Sequence, residues 1–285
     1  MEIVEEPFAG PYEGVMISPR GDGEVGVLVL AGSSGRIDVE RARLLARHGA
    51  VALSIRWFGG PGQPPGICEV SLETFVTAVD LLVDAGVRRV GVVGLSKGAE
   101  AALLTAGVDP RVDAVVALSP TSMVWANVGP GLDGRTHPYR SSWTWRGEPV
   151  PFVPYDDTWS PAEPEGPPTA CRALYESSRA RFPRAAEAAA IPIERADCEL
   201  LLVAGADDQM WPSLPYAEEL AARRLAVGRP ARIVSSRDAG HRPRLPGESP
   251  SPESAKYLYG GSANADAALG TVAWPHILQT LQLTP

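Results

Sequence analysis

The sequence predicts one α/β domain in which a mostly parallel sheet is flanked by helices. Short apolar, β-branched runs alternate along the chain with longer runs of helix-forming residues, and this alternation is typical of parallel sheets. The chain has 285 residues, 45% of them hydrophobic, which is enough for one large core. A single apolar stripe at helical spacing marks a core-facing helix, formed by Leu72, Phe75, Val76, Val79, Leu82 and Val83.

The predicted elements follow one another in strand–helix order. Strands are expected near residues 25–31, 50–56, 88–93, 113–118, 199–204 and 230–236, with an antiparallel edge strand at 12–18. Helices are expected near residues 38–48, 71–85, 97–106, 214–226 and 264–282. Ligands of open α/β sheets bind at the carboxyl ends of the strands, so we expect the functional residues there.

A nucleophile elbow is predicted at Gly94-Leu95-Ser96-Lys97-Gly98, between a buried strand and a helix. In a G-x-S-x-G turn at such a junction, the serine hydroxyl projects above the sheet. The turn is too tight for bulk two residues before or after the serine, which accounts for both glycines. The Lys97 backbone N–H would then donate to the oxyanion formed during acyl transfer. The alternative is a glycine-rich turn that only packs a helix on a strand.

The other members of a catalytic triad are predicted downstream. A serine nucleophile needs an imidazole base and a carboxylate that orients it, in the chain order serine, acid, histidine. Of the four histidines, only His241 follows a late strand in a glycine-led loop, so it is the predicted base. Asp208, after the strand near 199–204, is the predicted acid. Asp207 remains the alternative acid, and Asp238 is a third candidate.

The second oxyanion donor is predicted in the loop Ala31–Gly35, after the strand near 25–31. Small residues there would let a backbone N–H approach the reacting carbonyl, and Ser33 is our candidate through its main chain. A plain turn leading into the next helix is the alternative.

A long insertion at about 119–191 interrupts the strand–helix alternation. It is rich in proline and holds four of the seven tryptophans, and segments of this length within a compact fold are usually functional. We expect a lid-like cap over the nucleophile. Trp125, Trp143 and Trp145, together with Trp211 outside the insertion, are predicted to line an acyl pocket; alternatively, they pack the insertion onto the body. Arg140 and Arg146 are candidates for contact with a phosphate.

Composition narrows the functional classes. A net charge of −8 argues against nucleic acid as a partner. Three widely spaced cysteines suggest neither a disulfide framework nor a metal site, and the predicted chemistry needs no cofactor. The N-terminus lacks a hydrophobic signal core and no apolar run is long enough to span a membrane, so a cytoplasmic protein is expected. Assembly into a homo-oligomer stays open.

From about Gly14 to the C-terminus, the chain resembles the C-terminal catalytic domain shared by acyl-CoA thioesterases and bile acid-CoA:amino acid N-acyltransferases. This branch of the α/β-hydrolases is close to the dienelactone hydrolases. The motifs that carry the resemblance are the lysine-containing elbow followed by Gly98-Ala99-Glu100, the run Asp207-Asp208-Gln209-Met210-Trp211, and Ala239-Gly240-His241. Animal members carry a β-sandwich domain before this one, for which 285 residues leave no room. We therefore expect a single catalytic domain over 1–285.

The resemblance implies a serine hydrolase that cleaves acyl thioesters, most simply acyl-CoA, with Ser96, His241 and Asp208 as its triad. In this family the conjugating transferases look to have cysteine as nucleophile and the thioester hydrolases serine, so Ser96 favours water as the acceptor. Three alternatives remain: an acyltransferase to an amine or alcohol, a carboxylesterase or lactonase of the dienelactone type, and a catalytically silent binding protein.

Overall fold

An eight-stranded sheet forms the centre of the computed structural model, which describes residues 1–10, 12–21, 23–161, 168–250 and 252–284. In chain order the strands are β1 (Ile3–Ala9), β2 (Glu13–Pro19), β3 (Val25–Leu30), β4 (Ala50–Ile55), β5 (Val70–Ser71), β6 (Arg89–Leu95), β7 (Val112–Leu118), β8 (Trp143–Trp145), β9 (Glu148–Pro149), β10 (Glu199–Gly205) and β11 (Arg232–Ser236). The helices are α1 (Val39–Ala46), α2 (Glu73–Asp84), α3 (Lys97–Val108), α4 (Arg172–Arg181), α5 (Pro183–Ala188), α6 (Ser213–Ala226) and α7 (Ala263–Leu281).

The strand order in the central sheet is β1-β2-β4-β3-β6-β7-β10-β11. The six strands from β4 to β11 are parallel to one another, whereas β1 and β2 pair antiparallel at one edge. This confirms the predicted parallel sheet with its antiparallel strand near 12–18. Strand β1 was not predicted, because its side chains are mostly exposed and include two glutamates.

Both faces of the sheet are covered, as parallel sheets require. Alternate residues of β3 show the division: Leu28 and Leu30 belong to the core shared with α2, α3 and α6, whereas Val27 and Val29 pack with α1 and α7. All four side chains are fully buried. The strands therefore read as continuous apolar runs, and their carboxyl ends meet at one edge of the sheet.

The insertion at 119–191 lies outside the central sheet. Its strands β8 and β9 join β5 in a small second sheet, and it also carries α4 and α5. Residues 162–167 of the predicted insertion lie outside the described residues. Among the helices that the structure describes, none is long and apolar enough to cross a membrane.

Candidate active site

The turn between β6 and α3 has the geometry of a nucleophile elbow. Ser96 sits at φ 57° and ψ −120°, a backbone conformation that is strained for a residue with a side chain. A Cβ added at Gly94 would lie 2.1 Å from the carbonyl oxygen of Gly98, and one at Gly98 would lie 2.5 Å from that of Leu30. Neither position has room for a side chain, so the two glycines permit the tight turn.

The fold brings Ser96, His241 and Asp208 together from three loops at the carboxyl edge of the sheet. The His241 Nε2 atom lies 2.8 Å from Ser96 Oγ, and its Nδ1 atom lies 2.7 Å from Asp208 Oδ2. His241 is 3% exposed and Asp208 is fully buried. The imidazole can therefore accept the serine proton through Nε2 while the carboxylate holds Nδ1.

The two adjacent aspartates have different partners. The second Asp208 oxygen accepts hydrogen bonds from the backbone N–H groups of Met210 and Trp211, at 2.8 and 3.2 Å. Asp207 instead accepts from the Gly261 N–H at 2.8 Å and from the side chain of Gln209 at 2.8 Å. Asp207 thus holds the loop backbone, and only Asp208 reaches the imidazole.

Three residues that the sequence analysis missed hold the His241 loop. The Ser119 hydroxyl donates to the His241 carbonyl at 2.9 Å, and the His241 N–H donates to the Tyr259 carbonyl at 2.9 Å. The Asp266 carboxylate accepts from the Gly240 N–H at 2.7 Å. Burial raises the pKa of the Asp266 carboxyl, and the nearby Asp208 charge adds to this shift. For Ser119 a sequence signal existed, since it directly follows β7 at the same sheet edge as Ser96.

Two backbone N–H groups are available beside Ser96. Lys97 is the first residue of α3, where an N–H has no acceptor within the helix. The Ser33 N–H donates to no backbone carbonyl of the described residues. A Cβ added at Gly32 would lie 3.3 Å from Ser96 Cβ, so the loop that carries Ser33 packs directly against the nucleophile. Ser33 and Lys97 both line the same cavity as Ser96.

The Lys97 side chain is buried and forms an ion pair with Glu100 on α3. Its Nζ atom lies 2.7 Å from Glu100 Oε2 and 2.8 Å from Ser142 Oγ. Burial lowers the pKa of the Lys97 amine, and Glu100 counteracts this shift. The other Glu100 oxygen accepts from Trp143 Nε1 at 2.7 Å and from the Trp125 N–H at 3.2 Å. These bonds fasten the insertion to the first turn of the helix that follows Ser96.

A cavity of about 630 Å³ opens over Ser96 and His241. The insertion contributes one wall, which includes the apolar and aromatic residues Val128, Tyr155, Leu174 and Tyr175. Other walls come from the loop before α1, from α1 itself, and from the loop that follows His241. The cavity thus combines an apolar wall from the insertion with charged residues from the body of the domain.

Of the four tryptophans predicted to line an acyl pocket, Trp211 lines this cavity, beside the His241 ring. Trp125, Trp143 and Trp145 are not among the residues that line this cavity. Trp125 and Trp143 are fully buried, and their indole N–H groups donate to Thr121 and Glu100. A buried tryptophan with a satisfied N–H is typical of a core position, so these two pack the insertion onto the body.

Within the described part of the chain, no group of three or more His, Cys, Asp and Glu side chains could hold a metal ion. The three cysteines are free, and Cys171 lines the cavity.

Residues 70–283 match the family described as BAAT / acyl-CoA thioester hydrolase C terminal. The chain belongs to this family. It is 26% identical over 298 residues to acyl-coenzyme A thioesterase 6 of Homo sapiens, covering 96% of this chain and 64% of the relative. It is also 26% identical over 261 residues to acyl-coenzyme A amino acid N-acyltransferase 2 of Rattus norvegicus, covering 84% of this chain and 57% of the relative. The chain thus spans less than two thirds of the length of either family member.

Among solved structures, this chain is similar to a proposed dienelactone hydrolase from Klebsiella pneumoniae. The TM-score is 0.59 at 14% sequence identity, and the match covers 99% of both chains. This likeness shows the α/β-hydrolase fold.

Proposed function

We propose that this protein is a serine hydrolase that cleaves acyl thioesters through an acyl-enzyme, with acyl-CoA as the substrate class. The observation that carries the proposal is the hydrogen-bonded chain from Ser96 Oγ through His241 to Asp208, at 2.8 and 2.7 Å. Membership of a family that includes acyl-CoA thioesterases supports the thioester as the bond that is cleaved.

In the first half of the proposed reaction, Ser96 Oγ attacks the thioester carbonyl while His241 Nε2 takes the hydroxyl proton. Asp208 stabilises the imidazolium that results. The oxygen of the tetrahedral intermediate accepts hydrogen bonds from the N–H groups of Lys97 and Ser33. The carbon–sulfur bond then breaks, and His241 gives its proton to the departing sulfur, which leaves a free thiol and an acyl ester on Ser96.

In the second half, His241 takes a proton from water as the water oxygen attacks the ester carbonyl. The same two N–H groups hold the second oxyanion. The ester bond breaks, the proton returns from His241 to Ser96 Oγ, and the free acid departs. The proton transfers of both halves pass through His241 Nε2, which lies 2.8 Å from Ser96 Oγ.

An acyltransferase is the second candidate, because one of the relatives is an acyl-coenzyme A amino acid N-acyltransferase. The first half of the reaction would be the same. The difference is whether water or an amine reaches the acyl-enzyme, and a serine nucleophile favours water.

The experiment is thiol release from a series of acyl-CoAs, from acetyl to palmitoyl, with and without glycine or taurine. The acyl product is identified by mass, and Ser96→Ala is the control. We expect free acid at a rate that does not depend on the amine, and no release by Ser96→Ala above background. Conjugate formation would support the transferase instead. If the wild-type protein releases no thiol but a fluorophosphonate labels Ser96, esters and lactones are the next substrates; without labelling of the folded protein, the scaffold is catalytically silent.

A further inference from the structure

The cavity over Ser96 carries more positive charge than the chain as a whole. Four arginines line it, namely Arg36, Arg41, Arg242 and Arg244, against the three carboxylates of Asp38, Glu40 and Glu248. The whole chain, by contrast, has a net charge of −8. Side chains of one sign in a cleft raise the local concentration of ligands of opposite charge. The excess of arginines over carboxylates in the cavity lining therefore favours an anionic ligand, although the protein as a whole is acidic.

Two of the three carboxylates in the cavity, Glu248 and Glu40, accept hydrogen bonds from protein groups. Glu248 forms a bidentate pair with Arg41, at 2.7 and 3.1 Å. Glu40 accepts from both the N–H and the hydroxyl of Ser249, and these bonds lower the pKa of its carboxyl. Asp38 lies 3.7 Å from Arg41 Nη1. Arg41 is thus paired with Glu248, and the arginines left in the lining, Arg36, Arg242 and Arg244, outnumber the remaining carboxylates of Asp38 and Glu40.

Arg242 and Arg244, next to the candidate base His241, have no such partners. Among the described residues, no carboxylate oxygen lies within 4.0 Å of either guanidinium. The Arg242 guanidinium lies 3.5 Å from the centre of the Tyr259 ring, and one nitrogen donates to the Pro252 carbonyl at 2.9 Å. Arg244 donates to a backbone carbonyl at 3.4 Å. Both side chains are half-buried and held in place, with N–H donors left over for a ligand.

Arg36 adds a third cation from the loop before α1. Its side chain is 61% exposed, and its nearest carboxylate oxygen, on Asp38, is 3.9 Å away, beyond hydrogen-bond distance. The two arginines predicted from sequence to meet a phosphate are elsewhere: Arg140 pairs with Glu69, and Arg146 lies over the Trp145 ring. Neither lines the cavity.

We propose that Arg242 and Arg244, with Arg36, form a subsite for a phosphate group on the thiol carrier of the substrate. The inference rests on the proposed thioesterase function. Guanidinium groups bind phosphate through paired, charge-assisted hydrogen bonds, and the stacking of Arg242 on Tyr259 fixes its orientation in advance. The acyl chain would then occupy the apolar wall from the insertion, and the carrier would follow the arginines. Coenzyme A and the phosphopantetheine of a carrier protein share this chemistry.

The test compares one acyl group, octanoyl, on coenzyme A, on 4′-phosphopantetheine and on pantetheine. For the wild type we expect kcat/KM to fall when the phosphate is removed. Arg242→Gln should lower kcat/KM for the two phosphorylated substrates by about tenfold or more, through KM, and leave the pantetheine thioester within about twofold. Arg242→Lys, which keeps the charge, should retain most of the preference for the phosphorylated substrates over the pantetheine thioester. Arg88→Gln, an exposed arginine at the opposite edge of the sheet, is the matched control.

The substrates on which Arg36→Gln loses kcat/KM identify which phosphate of the carrier is bound. If Arg36→Gln affects only the coenzyme A thioester, the nucleotide end is bound; if it affects both phosphorylated substrates equally, the phosphopantetheine phosphate is bound. An equal loss on all three substrates in Arg242→Gln would overturn the subsite, as would a wild type indifferent to phosphate. In both of those cases hydrolysis of the pantetheine thioester keeps the proposed function. A wild type inactive on all three thioesters would remove the proposed function and the subsite together.

Discussion

Replacing Lys97 by Met is expected to destabilise the protein by about 3–5 kcal/mol, because it leaves the Glu100 carboxylate buried and uncompensated. The side chains of Lys97 and Glu100 are 2% and 0% exposed, so solvent cannot take over the lost interaction. The Glu100 carboxylate would keep its bonds to the insertion but lose the cation at 2.7 Å. For a domain of this size, such a loss lowers the Tm by on the order of 10 °C.

The double variant Lys97→Met with Glu100→Gln is expected to be more stable than Lys97→Met alone. Methionine fills the volume of the lysine stem, and glutamine keeps an oxygen to accept from the Trp143 indole. The remaining cost is one amide without a full set of partners, about 1–3 kcal/mol. Because glutamine is neutral, the double variant avoids the cost of a buried carboxylate without a cation, which is the largest part of the destabilisation of Lys97→Met.

The assay is urea unfolding followed by tryptophan fluorescence, with Arg43→Met as the control. Arg43 forms a bidentate pair with Glu5 on the surface, with side chains 44% and 34% exposed, so its loss should cost no more than about 1 kcal/mol. If Lys97→Met costs no more than this control, or if the double variant is less stable than Lys97→Met, the argument from burial is refuted.

Three further predictions concern the site and its pH dependence. Asp208→Asn should lower kcat about 10⁴-fold, whereas Asp207→Asn should keep activity within about threefold; equal losses in thiol release would contradict the assignment. Gly94→Ala should abolish fluorophosphonate labelling because the added Cβ would meet backbone at 2.1 Å, whereas Gly107→Ala on α3, which meets nothing within 4 Å, should label normally. Because burial raises the pKa of Asp266, the folded protein binds that proton more tightly than the unfolded chain. The wild type should therefore lose stability relative to Asp266→Asn as the pH rises from about 4 to 7, and a constant difference in urea unfolding would count against this.

The fold was predictable because the sequence patterns that indicate its strands and its elbow each lie within a few consecutive residues. The parallel strands are buried on both faces and so read as short apolar runs, and the glycines of the elbow sit where the backbone leaves no room. The helix from 263 to 281 was also anticipated, although Pro275 lies inside it. Strand β1 was not predicted, because a partly exposed edge strand has no apolar run that would indicate it.

The parts of the site that the sequence did not indicate depend on contacts between distant residues. Trp143 meets Glu100 across 43 positions of the chain, and no local pattern shows that its indole is directed to a carboxylate rather than to a ligand. Ser119 binds the His241 carbonyl across 122 positions. Aromatic content marked the insertion as important, but burial decided which of its side chains face the cavity.

The triad residues and the apolar wall of the cavity belong to different parts of the chain, so substitutions can alter one and leave the other unchanged. Ser96, His241 and Asp208 are held by strand ends and by loops of the domain body, whereas the apolar wall with Tyr155 and Tyr175 belongs to a segment outside the sheet. Substitutions in that wall can alter the depth and shape of the cavity while the reacting groups keep their positions. Under the proposed function, such substitutions would change chain-length preference and leave the triad in place, provided that the residues bonded to Glu100 are kept.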